Sequence, residues 1–180
     1  MKRNDTNKPL DATLAPEIRP GQSIELLKEL HILTRDGKLN QDSRRKLKQV
    51  YHLYQFIEPL LNELKAGQDS ISLVDHGAGK SYLGFILYDL FFKGSDDASR
   101  IYGIETREEL VQKSTELAAR LGFGGMSFLN LSVAESTTST RLPATIDIVT
   151  ALHACNTATD DAIDFALKKQ AKYMVLVPCC

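Results

Sequence analysis

The chain has 180 residues, 43% of them apolar, and a formal net charge of −1, which suits one ordinary globular domain with its own core and a helical extension. The near-zero charge leaves no global electrostatic footprint for nucleic acid, and no apolar run approaches the roughly 20 residues that span a bilayer. The N-terminus starts basic but lacks a signal peptide's apolar segment, and Cys155, Cys179 and Cys180 are too few and too bunched for a disulfide framework, so a soluble cytoplasmic protein with reduced thiols is expected.

Residues 1–21 carry Pro9, Pro16 and Pro20 among polar residues and read as a weakly ordered arm. The segment 22–67 reads as a helical cap. In it, SIELLKELHIL forms a short helix with Ser23 as N-cap. A turn at Asp36-Gly37 leads into a long amphipathic helix from about Gln41 to Leu64, ended by Gly67. Its apolar residues Leu47, Val50, Tyr51, Tyr54, Ile57, Leu61 and Leu64 recur at spacings of three and four. From residue 68 to 180 the pattern becomes strands alternating with helices. Strands are expected at Ile71–Val74, Ile101–Ile104, Met126–Val133, Ile146–Leu152 and Tyr173–Val177, with helices at Tyr82–Phe92, Arg107–Leu121 and Thr159–Lys169. The stretch Glu135–Thr145, ESTTSTRLPAT, reads as a polar loop. Strand, crossover helix, strand, repeated, predicts an α/β fold with a Rossmann-like, doubly wound parallel sheet and ligands at the carboxyl ends of the strands. The chain stops directly after the fifth strand, so a fragment of a longer polypeptide, or pairing through the exposed edge of strand five, is expected.

Gly77 and Gly79 stand where the first strand turns into a helix, and without Cβ atoms they let backbone N–H groups approach a ligand closely. Three nucleotide cradles compete. A phosphate-binding GxxxxGK[ST] loop would need glycine where Val74 stands, and a dinucleotide GxGxxG would need one at Tyr82. What remains is acidic-x-G-x-G, with Asp75 leading. A carboxylate there suits S-adenosylmethionine, which carries a sulfonium and no pyrophosphate. The plainer alternative is a tight turn with Asp75 as a helix N-cap. Glu105 ends the second strand, where a carboxylate can accept hydrogen bonds from ribose hydroxyls; a solvated charge within ETREE is the competing reading. At the end of the third strand Asn130, Ser132 or Glu135 is the expected contact to adenine.

The segments DHGAGKSYL (75–83), ALHACNTATDDA (151–162) and VPCC (177–180), with the upstream RRKLKQVYHLYQFIEPLL, carry a closer resemblance. From about residue 43 onward the chain resembles class I S-adenosylmethionine-dependent methyltransferases. More narrowly, it looks like the family that pairs a DxGxGKxYL loop with ALHACDTATD and a later PCC. That family includes the methyltransferase-like domain of a eukaryotic glutathione S-transferase C-terminal-domain protein. The resemblance implies that Asp75, Gly77 and Gly79 form the cofactor loop, that Glu105 holds the ribose, and that His153 and Cys155 face cofactor and substrate. Asn156 stands where the family usually has aspartate, and Ser132 where an acidic residue is common. The family's later antiparallel strands are not in this sequence.

His153 and Cys155 follow the fourth strand, and Cys179 and Cys180 the fifth, so neighbouring strands would bring them together. The plain reading is a pocket lining in which His153 positions substrate and takes a proton. Zinc binding by these residues matches no common ligand spacing, and no metal is expected. A thiolate attacking a base, as in RNA cytosine-5 methyltransferases, is the third reading, although the flanking residues do not match that family. Arg44, Arg45, Lys46 and Lys48 form a basic patch that reads first as a solvated helix face and second as a contact for nucleic-acid phosphates. Together these features predict a methyltransferase with RNA or protein as acceptor. The alternative is a cofactor-binding but inactive module that serves a partner.

Overall fold

The computed structural model describes residues 16–95, 98–154 and 157–178. These residues form two compact units divided between Gln49 and Val50, inside one long helix.

The first unit holds α1 (Ile24–Glu29) and the start of α2 (Gln41–Gly67). Ser23 caps α1 by accepting a hydrogen bond from the Leu26 N–H at 3.1 Å. Asn40 does the same for α2, its side-chain oxygen 2.8 Å from the Ser43 nitrogen. The apolar residues Leu26, Leu27, Ile32 and Leu47 are buried, as their spacing requires.

The second unit is a sheet of five parallel strands in the order β3-β2-β1-β4-β5. The strands are β1 (Ser72–His76), β2 (Arg100–Glu105), β3 (Met126–Asn130), β4 (Ile148–Ala154) and β5 (Tyr173–Pro178). The helices between them are α3 (Tyr82–Leu87), α4 (Glu108–Leu121), α5 (Val133–Thr138) and α6 (Thr157–Lys168). The doubly wound α/β fold expected from the alternating pattern is present. Strands buried on both faces read as continuous apolar runs, which is why they were legible. The order reverses direction between β1 and β4, so the carboxyl ends of β1 and its neighbours border the crevice where ligands bind in such sheets.

Two elements differ from expectation. The apolar run Tyr82–Phe92 is not one helix: α3 ends at Leu87 and the chain widens into a π-turn over Tyr88–Phe92. The third strand stops at Asn130, and Val133–Thr138, expected as strand end and polar loop, is helical. Ser132 and Glu135 cause this by forming a reciprocal capping box, with the Glu135 carboxylate 2.8 Å from the Ser132 nitrogen.

Each face of the sheet has its own packing. Val74, Ile104, Leu129, Val149 and Phe165 form one buried cluster. On the other face Phe85 lies 5.4 Å from Phe128 and 6.4 Å from Phe123, ring centre to ring centre. Gly103 of β2 permits that packing, since a Cβ there would sit 2.6 Å from the Phe128 ring. At the opposite ends of the strands Asp147 accepts from the Ser72 nitrogen at 2.8 Å and pairs with Lys172 at 3.2 Å, tying the starts of β1, β4 and β5. Among the described residues no helix is long and apolar enough to cross a membrane.

Candidate cofactor site at the carboxyl ends of the strands

The turn from β1 into α3 alternates left-handed residues: Gly77 at φ +69°, Gly79 at +57° and Ser81 at +50°. Glycine adopts this region without penalty, whereas Ser81 needs help to stay there. Its N–H donates to the Ala78 carbonyl at 2.6 Å, and its hydroxyl bonds to Asp75 Oδ2 at 3.2 Å. Asp75 also receives the Thr150 hydroxyl at 2.9 Å. Its carboxyl is 3% exposed, and burial pushes its pKa up to about 6 against the two hydroxyl bonds. Asp75 therefore lies beneath the loop as a brace between α3 and β4, and does not line the cavity described next.

Glu105 sits at the carboxyl end of β2, its side chain 8% exposed. Oε2 accepts the Gly79 N–H at 2.8 Å, which fastens the glycine loop to β2. Arg107 then closes on it from outside, with Nε 3.0 Å from Oε1 and Nη2 3.1 Å from Oε2, and its backbone N–H donates to Oε1 at 3.0 Å. Burial raises the Glu105 pKa, but the Arg107 and Gly79 donors outweigh it and hold it at about 2. The carboxylate is thus ionised, buried and fully occupied by donors.

Between the ends of β1, β2 and β3 and the start of α6 lies a cavity of about 120 Å³. Ile104, Leu131, Val133 and Ala158 give it apolar walls, Gly77 borders it, and His76, Glu105, Thr106 and Asp161 supply its polar groups. Among the described residues two carboxylates, one of them paired with Arg107 outside, and no lysine or arginine line it, a balance that disfavours a phosphorylated ligand.

The other sequence-predicted residues divide clearly. Asn130 Nδ2 donates to the carbonyls of Glu105 and Thr106 at 3.1 and 2.8 Å, so it braces the turn after β2. Ser132 is committed to the α5 cap, and between them Leu131 faces the cavity. His153 lies near the end of β4, at a bulge where the pairing with β5 shifts between Leu152 and Ala154. Cys155, Asn156, Cys179 and Cys180 lie outside the described residues. In the basic patch, Arg44 pairs with Glu17 at 2.9 Å and Arg45 with Asp42 at 3.9 Å, which offsets part of its charge. Sequence reasoning missed His76 and Asp161. The signal for His76 was strand alternation, which puts it on the face opposite Asp75 at the strand's carboxyl end.

Comparison with known proteins adds sequence evidence to this geometry. A family model described as a methyltransferase domain matches residues 45–180. A glutathione S-transferase C-terminal domain-containing protein of Bos taurus is 26% identical over 146 residues, covering 81% of this chain and 20% of that protein. The Mus musculus protein of the same description is 23% identical over 174 residues, covering 96% and 25% respectively. The chain thus spans between a fifth and a quarter of the length of the curated relatives it matches. Among solved structures, the chain is similar to the magnesium protoporphyrin IX methyltransferase of Synechocystis with bound S-adenosylhomocysteine. That match has 18% identity and a TM-score of 0.47, covering 81% of this chain and 62% of that one. It is also similar to TrmK of M. capricolum in complex with S-adenosylhomocysteine, at 13% identity and a TM-score of 0.44, covering 61% and 46%.

Proposed function

The chain belongs to the methyltransferase-domain family, and on that premise we propose that it binds S-adenosylmethionine in the cavity beside Glu105 and transfers its methyl group to RNA or protein. The observation that carries this reading is the ionised Glu105 carboxylate, bonded to the glycine loop and bordering a cavity with apolar walls. The site fits the cofactor in kind: flat apolar walls for a purine, a carboxylate for the ribose hydroxyls, and negative charge near a cation. It does not yet fit in size, because drug-sized ligands take roughly 300 Å³ or more. Arg107, whose side chain is 62% exposed, covers the oxygens of Glu105 from the solvent side and must give them up when the ribose binds.

The roles follow from the placements. Gly77 and Gly79 bring the backbone close to the cofactor, and Asp75 holds their loop from below through Ser81 and Thr150. Glu105 accepts the ribose hydroxyls. Leu131 and Val133 flank the adenine, while Asn130 and Ser132 fix the turns that present them. The bound cofactor supplies a methyl group already activated on a sulfonium, so the chain's contribution is to align donor and acceptor and exclude water. An N–H or O–H acceptor must also lose a proton, the role proposed for His153 at the end of β4. Cys155, the next side chain of that segment to carry chemistry, is assigned to the acceptor pocket. Association of copies is expected through β5, which among the described residues pairs only with β4.

Calorimetry with S-adenosylmethionine and S-adenosylhomocysteine tests the cofactor, and tritiated-methyl transfer to fractionated RNA and protein tests the activity. Saturable binding that weakens at least tenfold in Glu105→Gln supports the reading; no binding, or binding indifferent to Glu105, overturns it. Binding without transfer to any fraction leaves the inactive, partner-serving module as the better description.

A further inference from the structure

His76 has no part in the roles above, yet it is 93% buried, being 7% exposed, and it is one of the residues that line the cavity. Its Nε2 is buried and, among the described residues, has no hydrogen-bond partner. Such an atom costs free energy unless something satisfies it, and orphaned buried nitrogens in native proteins call for an explanation. The ring is held in place by the Phe165 ring, 5.3 Å away between centres. Phe165 is itself fully buried and offers that side of the imidazole no hydrogen-bonding group. The charged groups facing the same space are Glu105 from β2 and Asp161 from α6. Neither is hydrogen-bonded to His76 among the described residues.

We propose that His76 is a cofactor-contacting residue whose Nε2 makes a hydrogen bond to the adenosine half of the bound cofactor; this rests on the reading of the cavity as a cofactor site. The walls argue for the nucleoside half. His76 shares its cavity with the ribose-binding carboxylate and with the apolar pair Leu131 and Val133, and adenosine matches such a lining, with flat faces and a polar edge. Imidazole is also suited to it chemically. Burial lowers the His76 pKa, against the opposing pull of Asp161, which keeps the ring neutral at pH 7. A neutral ring presents one donor and one acceptor nitrogen, so Nε2 can serve either a ring nitrogen or a hydroxyl according to tautomer.

Long-range proton–nitrogen NMR of the histidine rings tests this on the intact chain, with His76 assigned by its loss in His76→Gln. Titration with S-adenosylhomocysteine or with adenosine alone is expected to move the His76 Nε2 resonance, and methionine alone is expected to leave it in place. His76→Phe should weaken S-adenosylhomocysteine binding by about tenfold, the size of one buried hydrogen bond, with His76→Gln intermediate. An unmoved Nε2 resonance while the parent chain binds S-adenosylhomocysteine overturns the inference and leaves the cofactor site standing. A response to methionine alone overturns the assignment to adenosine, and failure of the parent chain to bind overturns both. Because the resonance is read in the parent chain, the test survives a His76→Phe variant that does not fold.

Discussion

Arg107 and Asp75 show how two side chains near one loop can do opposite things. Arg107 occupies both oxygens of Glu105 from the solvent side, so in the proposed cofactor site ribose hydroxyls must displace it. Only the Arg107 end of this pair is exposed, and the guanidinium returns to water when it is displaced, which limits the cost of removing it. Arg107→Met is therefore expected to tighten S-adenosylhomocysteine binding by about two- to fivefold in calorimetry; weaker binding would show that Arg107 holds the ligand itself. Asp75 is buried instead, with a folded pKa of about 6 against an ordinary value of 3.8. The unfolded chain ionises first as pH rises, so Asp75 makes the fold progressively less stable between about pH 4 and pH 6, and the loss is constant above that. Its size is on the order of 3 kcal/mol. Asparagine is isosteric with the neutral carboxyl and cannot ionise. Urea unfolding from pH 4 to 7.5 should show Asp75→Asn gaining on the parent chain across that window, and parallel curves would refute it. Glu105 has the opposite sign: its lowered pKa stabilises the fold above about pH 4.5, and that contribution disappears as pH falls toward 2.

At the scale of elements, β2 carries the tightest constraint. Gly103 pairs with Asp75 on one side and Phe128 on the other, and a Cβ on it would lie 2.6 Å from the Phe128 ring. Overpacking of this kind costs about 1–3 kcal/mol, so Gly103→Ala should lower the urea midpoint with an unchanged slope; a shift worth under about 0.5 kcal/mol would contradict the packing described. The elements also show what was legible in the amino-acid sequence. Five strands and the glycine loop were readable because buried parallel strands are largely apolar and the left-handed turn at Gly77 and Gly79 needs glycine. The helix α5 was hidden by its composition, since the serines and threonines of ESTTST favour turns over helices. Its one readable signal was Ser132 followed three positions later by Glu135, a capping box. The break at Tyr88 had no such signal, because apolar residues continue through it.

For the molecule as a whole, the doubly wound order puts the ends of β1, β2 and β3 side by side, and the register fixes the neighbours. His76 pairs with Ile104 across β1 and β2, and Glu105 pairs with Asn130 across β2 and β3. Topology thus assembled a site from separate segments of the chain, Gly79 and Glu105 standing 26 positions apart, which spacing rules along one segment could not have joined. Asp161 was missed for that reason. The polar residues expected to meet adenine, Asn130 and Ser132, turned out to hold backbone and caps, and the cavity wall there is apolar. The most direct test of the cofactor site is amide NMR of the chain titrated with S-adenosylhomocysteine. Saturable shifts confined to Gly77, Gly79, Glu105, Leu131 and Val133 and their neighbours are expected. Absence of saturable shifts, or shifts centred elsewhere in the fold, would contradict it.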